Sequence, residues 1–170
     1  MKKQKITVDT IMSWGPCEEY TKTKIKKLLK GVCGDMGNIT YRDILKLSIP
    51  VNDKLWVLLR PEFIPERQLH EIGIWCWEEI ARPVWEKHHP DDRRPHDAVA
   101  TKRLWLDGKA TDAELAAARA SAWAAARAAA SASAWASARA SVWASARTSE
   151  YNTTFEKILK HVEEIFKVFC

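Results

Sequence analysis

An all-α fold follows from three features of the sequence. Apolar residues recur at helical spacing in nearly every segment, Pro and Gly stand where helices should end, and Ala dominates the stretch after Thr111. No segment makes a convincing strand. With 170 residues the chain is long enough for one domain with a hydrophobic core. The expected architecture is a single-domain multi-helix bundle built around a long Ala-rich helix. Short helices and a polar loop should occupy residues 1–110, the Ala/Ser/Trp/Arg repeat residues 111–150, and an amphipathic C-terminal helix residues 151–170.

The elements can be taken in order. "TVDTIMSW" opens on Thr7, a capping residue, and stops at Gly15-Pro16. "EEYTKTKIKKLLKG" sets Ile25, Leu28 and Leu29 on one face, with Gly31 placed to end the helix. The turn-rich "GVCGDMGN" follows. Thr40 and Asp43 resemble a capping box ahead of Ile44, Leu45 and Leu47, and Pro50 ends that helix. "NDKLWVLLR", held between Pro50 and Pro61, is either a short buried helix or an apolar turn. Pro65 suits the first turn of the next helix, where Leu69, Ile72, Cys76, Ile80 and Val84 should face the core. Pro83 should kink that helix or end it near Arg82.

"EKHHPDDRRP" is the main polar loop. Pro95 opens a helix carrying Ala98, Val99, Leu104 and Trp105, which Gly108 closes. Thr111 and Glu114 form a T-x-x-E capping box for the Ala-rich segment. Thr153 and Glu156 repeat the device before a stripe of Phe155, Ile158, Leu159, Val162, Ile165, Phe166 and Phe169.

The repeat carries the most information. From Ser133 to Arg147 it nearly alternates, which is a strand period, but Ala is the strongest helix former and poor in strands, so a helix is expected. Trp and Arg return at steps of four: Arg119, Trp123, Arg127, then Trp135, Arg139, Trp143 and Arg147. Each such step advances about 40° beyond a full turn. The row therefore spirals, and different pairs must meet different neighbours. One helix over 111–148 would be about 55 Å long, against a diameter of roughly 40 Å for a compact chain of this size. It must break, protrude or pass through an oligomer. The small Ala and Ser faces permit close helix approach, and a homo-oligomer is expected.

Composition narrows the function. Nine tryptophans are far from ordinary, and Trp is enriched where proteins hold ligands or partners. Net charge is +5, much of it from N-terminal lysines, which favours anionic partners but does not by itself nominate nucleic acid. The four cysteines show no CxxC or zinc-like spacing, so free thiols and a reducing, cytoplasmic setting are expected. No apolar run is long enough to cross a membrane, and no signal-peptide apolar region is present.

Tests for chemistry find little. His88, His89, Asp91, Asp92, His96 and Asp97 crowd the polar loop without a metal-binding spacing, and pairing of Asp92 with Arg93 or Arg94 explains them better. Gly31, Gly34 and Gly37 follow no strand and are not a phosphate loop. His70 and Cys76 share one helix, where packing explains them better than a nucleophile–base pair. No catalytic constellation, cofactor or metal is expected.

The segments "LSIPVNDKLWVLLRPEFIPERQLHEIGIWCWEEIA", "HPDDRRPHDAV" and "LDGKATDAELAAARASAWAAARAAA" resemble a family of immunity proteins, all-helical proteins of bacteria and phages with Ala/Trp/Arg repeats. The resemblance runs roughly from Asp9 to Ser149, with Asp53 to Arg60 and Pro90 to Pro95 its most specific parts. It implies protection by stoichiometric binding and brings no catalytic residues with it. With the cytoplasmic setting expected above, that places the protein in the cytoplasm of the bacterial host cell. Inhibitors of nuclease toxins tend to be acidic, whereas this chain is basic. The first expectation is therefore sequestration of an anionic, nucleotide-derived immune signal, as an anti-defence sponge. Trp56, Trp123 and Trp135 would stack the base, and Arg60, Arg94, Arg119, Arg127 and Arg139 would hold phosphates. For Arg60 an ion pair with Glu62, Glu78 or Glu79 serves equally well, and for each Trp/Arg pair a structural cation–π contact is the commoner explanation. The alternatives are an immunity protein that blocks a protein toxin, with exposed Trp residues, and a helical oligomeric scaffold with every Trp buried.

Overall fold

Thr7, Thr21, Thr40 and Thr111 each begin a helix. Their hydroxyls accept from the backbone N–H three residues on, at 3.2, 3.2, 3.4 and 3.2 Å. That bond satisfies a donor the first helical turn would otherwise leave unpaired. The structure, a computed structural model, describes residues 5–137 and 144–169. Its helices are α1 (Val8–Ser13), α2 (Lys22–Lys30), α3 (Tyr41–Lys46), α4 (Val51–Leu58), α5 (Glu66–Cys76), α6 (Arg82–His88), α7 (Arg94–Leu106), α8 (Asp112–Ser137) and α9 (Ala144–Phe169). A π-helical turn, Trp77–Ala81, joins α5 to α6. No strand occurs among the described residues, so the fold is all-α. The stretch left open as helix or apolar turn is the helix α4.

The chain groups into two compact units. Unit 1 comprises Met1–Leu69 with Phe155–Cys170, and unit 2 comprises His70–Thr154. In unit 1, α1 packs on α2 and α3 on α4, burying Ile11, Ile25, Leu29, Ile44 and Leu58. Each such side chain contributes about 1.5–3 kcal/mol through loss of apolar contact with water. The end of α9 completes this core with Leu159, Val162 and Phe166. The Phe166 ring lies flat on Tyr41, with centroids 4.1 Å apart.

Unit 2 is organised by α7 and α8 lying against each other. Gly108, at a φ of +71°, lets the chain leave α7 in the left-handed conformation. Trp105 Nε1 then donates to Asp112 Oδ1 at 2.6 Å, fastening the turn to the start of α8. Leu115, Ala118, Ala122, Ala125 and Ala129 are buried or half-buried on α8. Their alternating spacing of three and four draws one narrow inward seam of small residues.

Several sequence expectations need correction. Val84 was to face the core, yet it is 60% exposed. The π turn holds an extra residue, as Arg82 N–H bonds to Trp77 O, and this rotates all that follows. Pro83 lies just beyond: it cannot donate to the preceding turn, and its ring crowds the carbonyl four residues back. Thr153 and Glu156 cap nothing, because both lie inside α9. No Gly or Pro occurs between Ala144 and Phe169 to stop that helix, and an interior turn has no unpaired N–H to cap. Pro65 precedes α5 and accepts its first hydrogen bond from Leu69 N–H, instead of lying in the first turn. The repeat is described as α8 up to Ser137 and the start of α9 from Ala144, and residues 138–143 fall outside the described residues.

Candidate functional site

In unit 1, Arg60 sits against two indoles. Trp14 closes α1, Trp56 projects from α4, and the Arg60 guanidinium carbon lies 4.4 Å from the Trp56 ring and 5.3 Å from the Trp14 ring. The two indoles meet edge to face at 6.3 Å. Arg60 Nε donates to Trp56 O at 3.2 Å. Two of the three carboxylates offered as its ion-pair partners have other contacts: Glu62 accepts from Trp14 Nε1 at 3.2 Å, and Glu78 accepts twice from Arg103 at 2.6 and 2.7 Å. Each cation–π contact at an exposed site is worth about 0.5–1 kcal/mol. The cluster thus presents a positive charge framed by flat apolar faces.

In unit 2, Arg94 is turned onto Asp92. Its Nε and Nη2 donate to Oδ1 and Oδ2 at 2.8 and 2.6 Å, a two-pronged pairing. These bonds hold the Asp92 carboxyl well below the ordinary range, at about 2. Trp85 Nε1 donates to the Asp92 carbonyl at 2.8 Å, and His96 Nε2 meets Glu86 Oε1 at 2.9 Å. The polar loop is thereby tied to α6 and α7. Among the described residues, no group of three or more His, Cys, Asp or Glu side chains is placed to hold a metal ion.

On α8 the row of four-residue steps faces outward. Arg119, Trp123 and Arg127 are exposed, and Trp123 keeps 62% of its surface in solvent. The Arg127 guanidinium carbon lies 5.4 Å from the Trp123 ring. The spiral predicted from helical geometry explains the arrangement: the row departs from the Ala seam and carries these side chains away from α7. Trp135 belongs to α8, but its side chain, like the whole of Arg139, lies outside the described residues.

Trp56 and Arg60 therefore form one cluster, Trp123 and Arg127 another, and Arg94 pairs within its own loop. Sequence reasoning missed Trp14, whose only local signal is its place before the Gly15-Pro16 stop. It also missed Tyr20 and Asp53, joined by a 2.6 Å hydrogen bond, since no local pattern links residues so far apart in the chain.

A family model described as "Imm-5 like putative immunity protein" matches residues 64–149, half of the chain. The match holds α5 to α8, and with them Arg94, Arg119, Trp123 and Arg127. It begins after Asp53–Arg60, so that stretch, together with Trp56 and Arg60, stands outside it. No curated protein and no solved structure matches the chain. The chain belongs to the Imm-5 like immunity protein family.

Proposed function

We propose that this protein is a non-catalytic, cytoplasmic immunity protein that neutralises a protein toxin by one-to-one occlusion, with the outward row of α8 as its contact surface. The observation that carries the reading is Trp123, a 62%-exposed indole flanked along the helix by Arg119 and Arg127, inside the family-matched segment. Trp and Arg dominate the energetics of protein interfaces, because a flat apolar ring and a rigid donor fork gain most from burial against a complementary surface. The row is cationic, so it suits an acidic toxin surface. Free thiols at Cys17, Cys33 and Cys76 support the reducing compartment. The test is growth rescue. The chain is co-expressed with each member of a panel of bacterial toxin domains, and the rescuing pair is retested with Trp123→Ala and Arg127→Glu. Rescue should be lost while the melting temperature stays unchanged, and full rescue by both variants would refute the assignment.

A second reading, sequestration of an anionic nucleotide-like signal, rests on Arg60. Its guanidinium makes no ion pair among the described residues, and two indoles flank it. That combination suits a base stacked on indole and a phosphate held by arginine. Calorimetry against a nucleotide panel should then give saturable binding that Arg60→Ala weakens at least tenfold. No heat from any nucleotide would exclude it.

A further inference from the structure

Unit 1 contains a cleft of about 240 Å³ that shares only Trp56 with the second reading and has its own polar group, Asp53. Its floor is aliphatic and buried, formed by Ile25, Leu29, Ile44 and Leu47 among others. Its polar lining comes from Tyr20, Asn52 and Asp53, and Cys17 and Trp56 also line it. The Tyr20 hydroxyl donates to Asp53 Oδ2 at 2.6 Å, and Asn52 Nδ2 donates to Oδ1 at 3.1 Å. Both donors are neutral. Burial, and then the bond to Asp53, push the Tyr20 phenol above its ordinary range, so it remains a donor at neutral pH.

Among the described residues no lysine, arginine or histidine pairs with Asp53. Lys24 lies over the Tyr20 ring, 4.5 Å from its centre and 3.6 Å from Glu19 Oε2, and Lys54 donates to Leu45 O at 2.9 Å, so neither is bonded to Asp53. A carboxylate lining an apolar cleft, held by neutral donors with acceptor capacity to spare, is the complement of a cation on a hydrocarbon body. No basic side chain lines the cleft, so phosphate finds no partner there.

We infer that this cleft binds a small, mostly apolar molecule bearing one protonated amine, with the hydrocarbon body on the aliphatic floor and the ammonium paired with Asp53. The size agrees: an apolar cavity of about 150 Å³ holds benzene, so the larger space here admits one ring with a short amine arm. The charge sets the selectivity. An ammonium donating to a carboxylate binds more strongly than a hydroxyl in its place, by roughly tenfold or more.

The experiment is calorimetry on the full chain with 2-phenylethylamine and with 2-phenylethanol, its neutral counterpart. The amine should bind one-to-one and at least tenfold more tightly than the alcohol. Asp53→Asn should abolish that preference, and Asp53→Ser gives the same comparison if the amide variant does not fold. A bound amine should also slow alkylation of Cys17 in the lining by iodoacetamide, while leaving Cys33 unaffected. Equal affinities for amine and alcohol, an unchanged preference in the Asp53 variants, or no saturable binding would each overturn the inference. The amine–alcohol comparison uses the unaltered chain, so it decides the matter whether or not a variant folds.

Discussion

Asp92 and Arg94 show what a single pair contributes at the residue scale. The folded carboxyl titrates at about 2, below the ordinary 3.8, because Arg94 donates to both of its oxygens. The pair therefore stabilises the loop fully above the ordinary carboxylate value and loses that effect as pH falls through about 2. An NMR titration should place the Asp92 midpoint there, and Arg94→Met should return it toward the usual range. An unchanged midpoint in the variant would assign the depression to another group. The sequence already pointed to this pairing, since Asp92 and Arg94 are close neighbours on a polar loop. It could not show that Trp14 joins Arg60, or that Tyr20 joins Asp53, because tertiary packing alone decides such partners.

At the scale of elements, caps and apolar periods were legible wherever one local rule acted without a competitor. Thr7, Thr40 and Thr111 start helices as read, and Gly31 and Gly108 follow the ends of α2 and α7. Thr111→Ala should cost about 1 kcal/mol in urea denaturation, by removing the hydroxyl that accepts from the Glu114 N–H and donates to the Glu114 carboxylate. The stripe through Val84 was misread because periodicity assumes a constant turn, and the π turn changes it. The Ala seam of α8 makes a sharper prediction. Ala125 is 1% exposed, so Ala125→Leu should destabilise by about 1–3 kcal/mol through overpacking. Ala124→Leu, on the exposed side, should change the urea midpoint little. Equal effects from the two would mean that the seam is not packed.

At the scale of the whole molecule, net charge governs how a partner is reached. A chain of +5 with arginines on its proposed contact row should associate with an acidic toxin at a rate that falls with salt. Raising ionic strength from about 0.1 M to about 1 M shortens the screening length from about 10 Å to about 3 Å. Stopped-flow association should slow roughly tenfold or more, with dissociation little changed. The division into two units was not legible, because the segments of unit 1 are far apart in the sequence and no linker composition marks them. That division sets an order of events during synthesis. The N-terminal residues of unit 1 leave the ribosome long before Leu159, Val162 and Phe166 do, and until then Tyr41 has no ring to stack on. The growing chain therefore holds an unfinished apolar surface until α9 has been made, so the first partner unit 1 needs is a helical segment of its own chain that is synthesised more than eighty residues later.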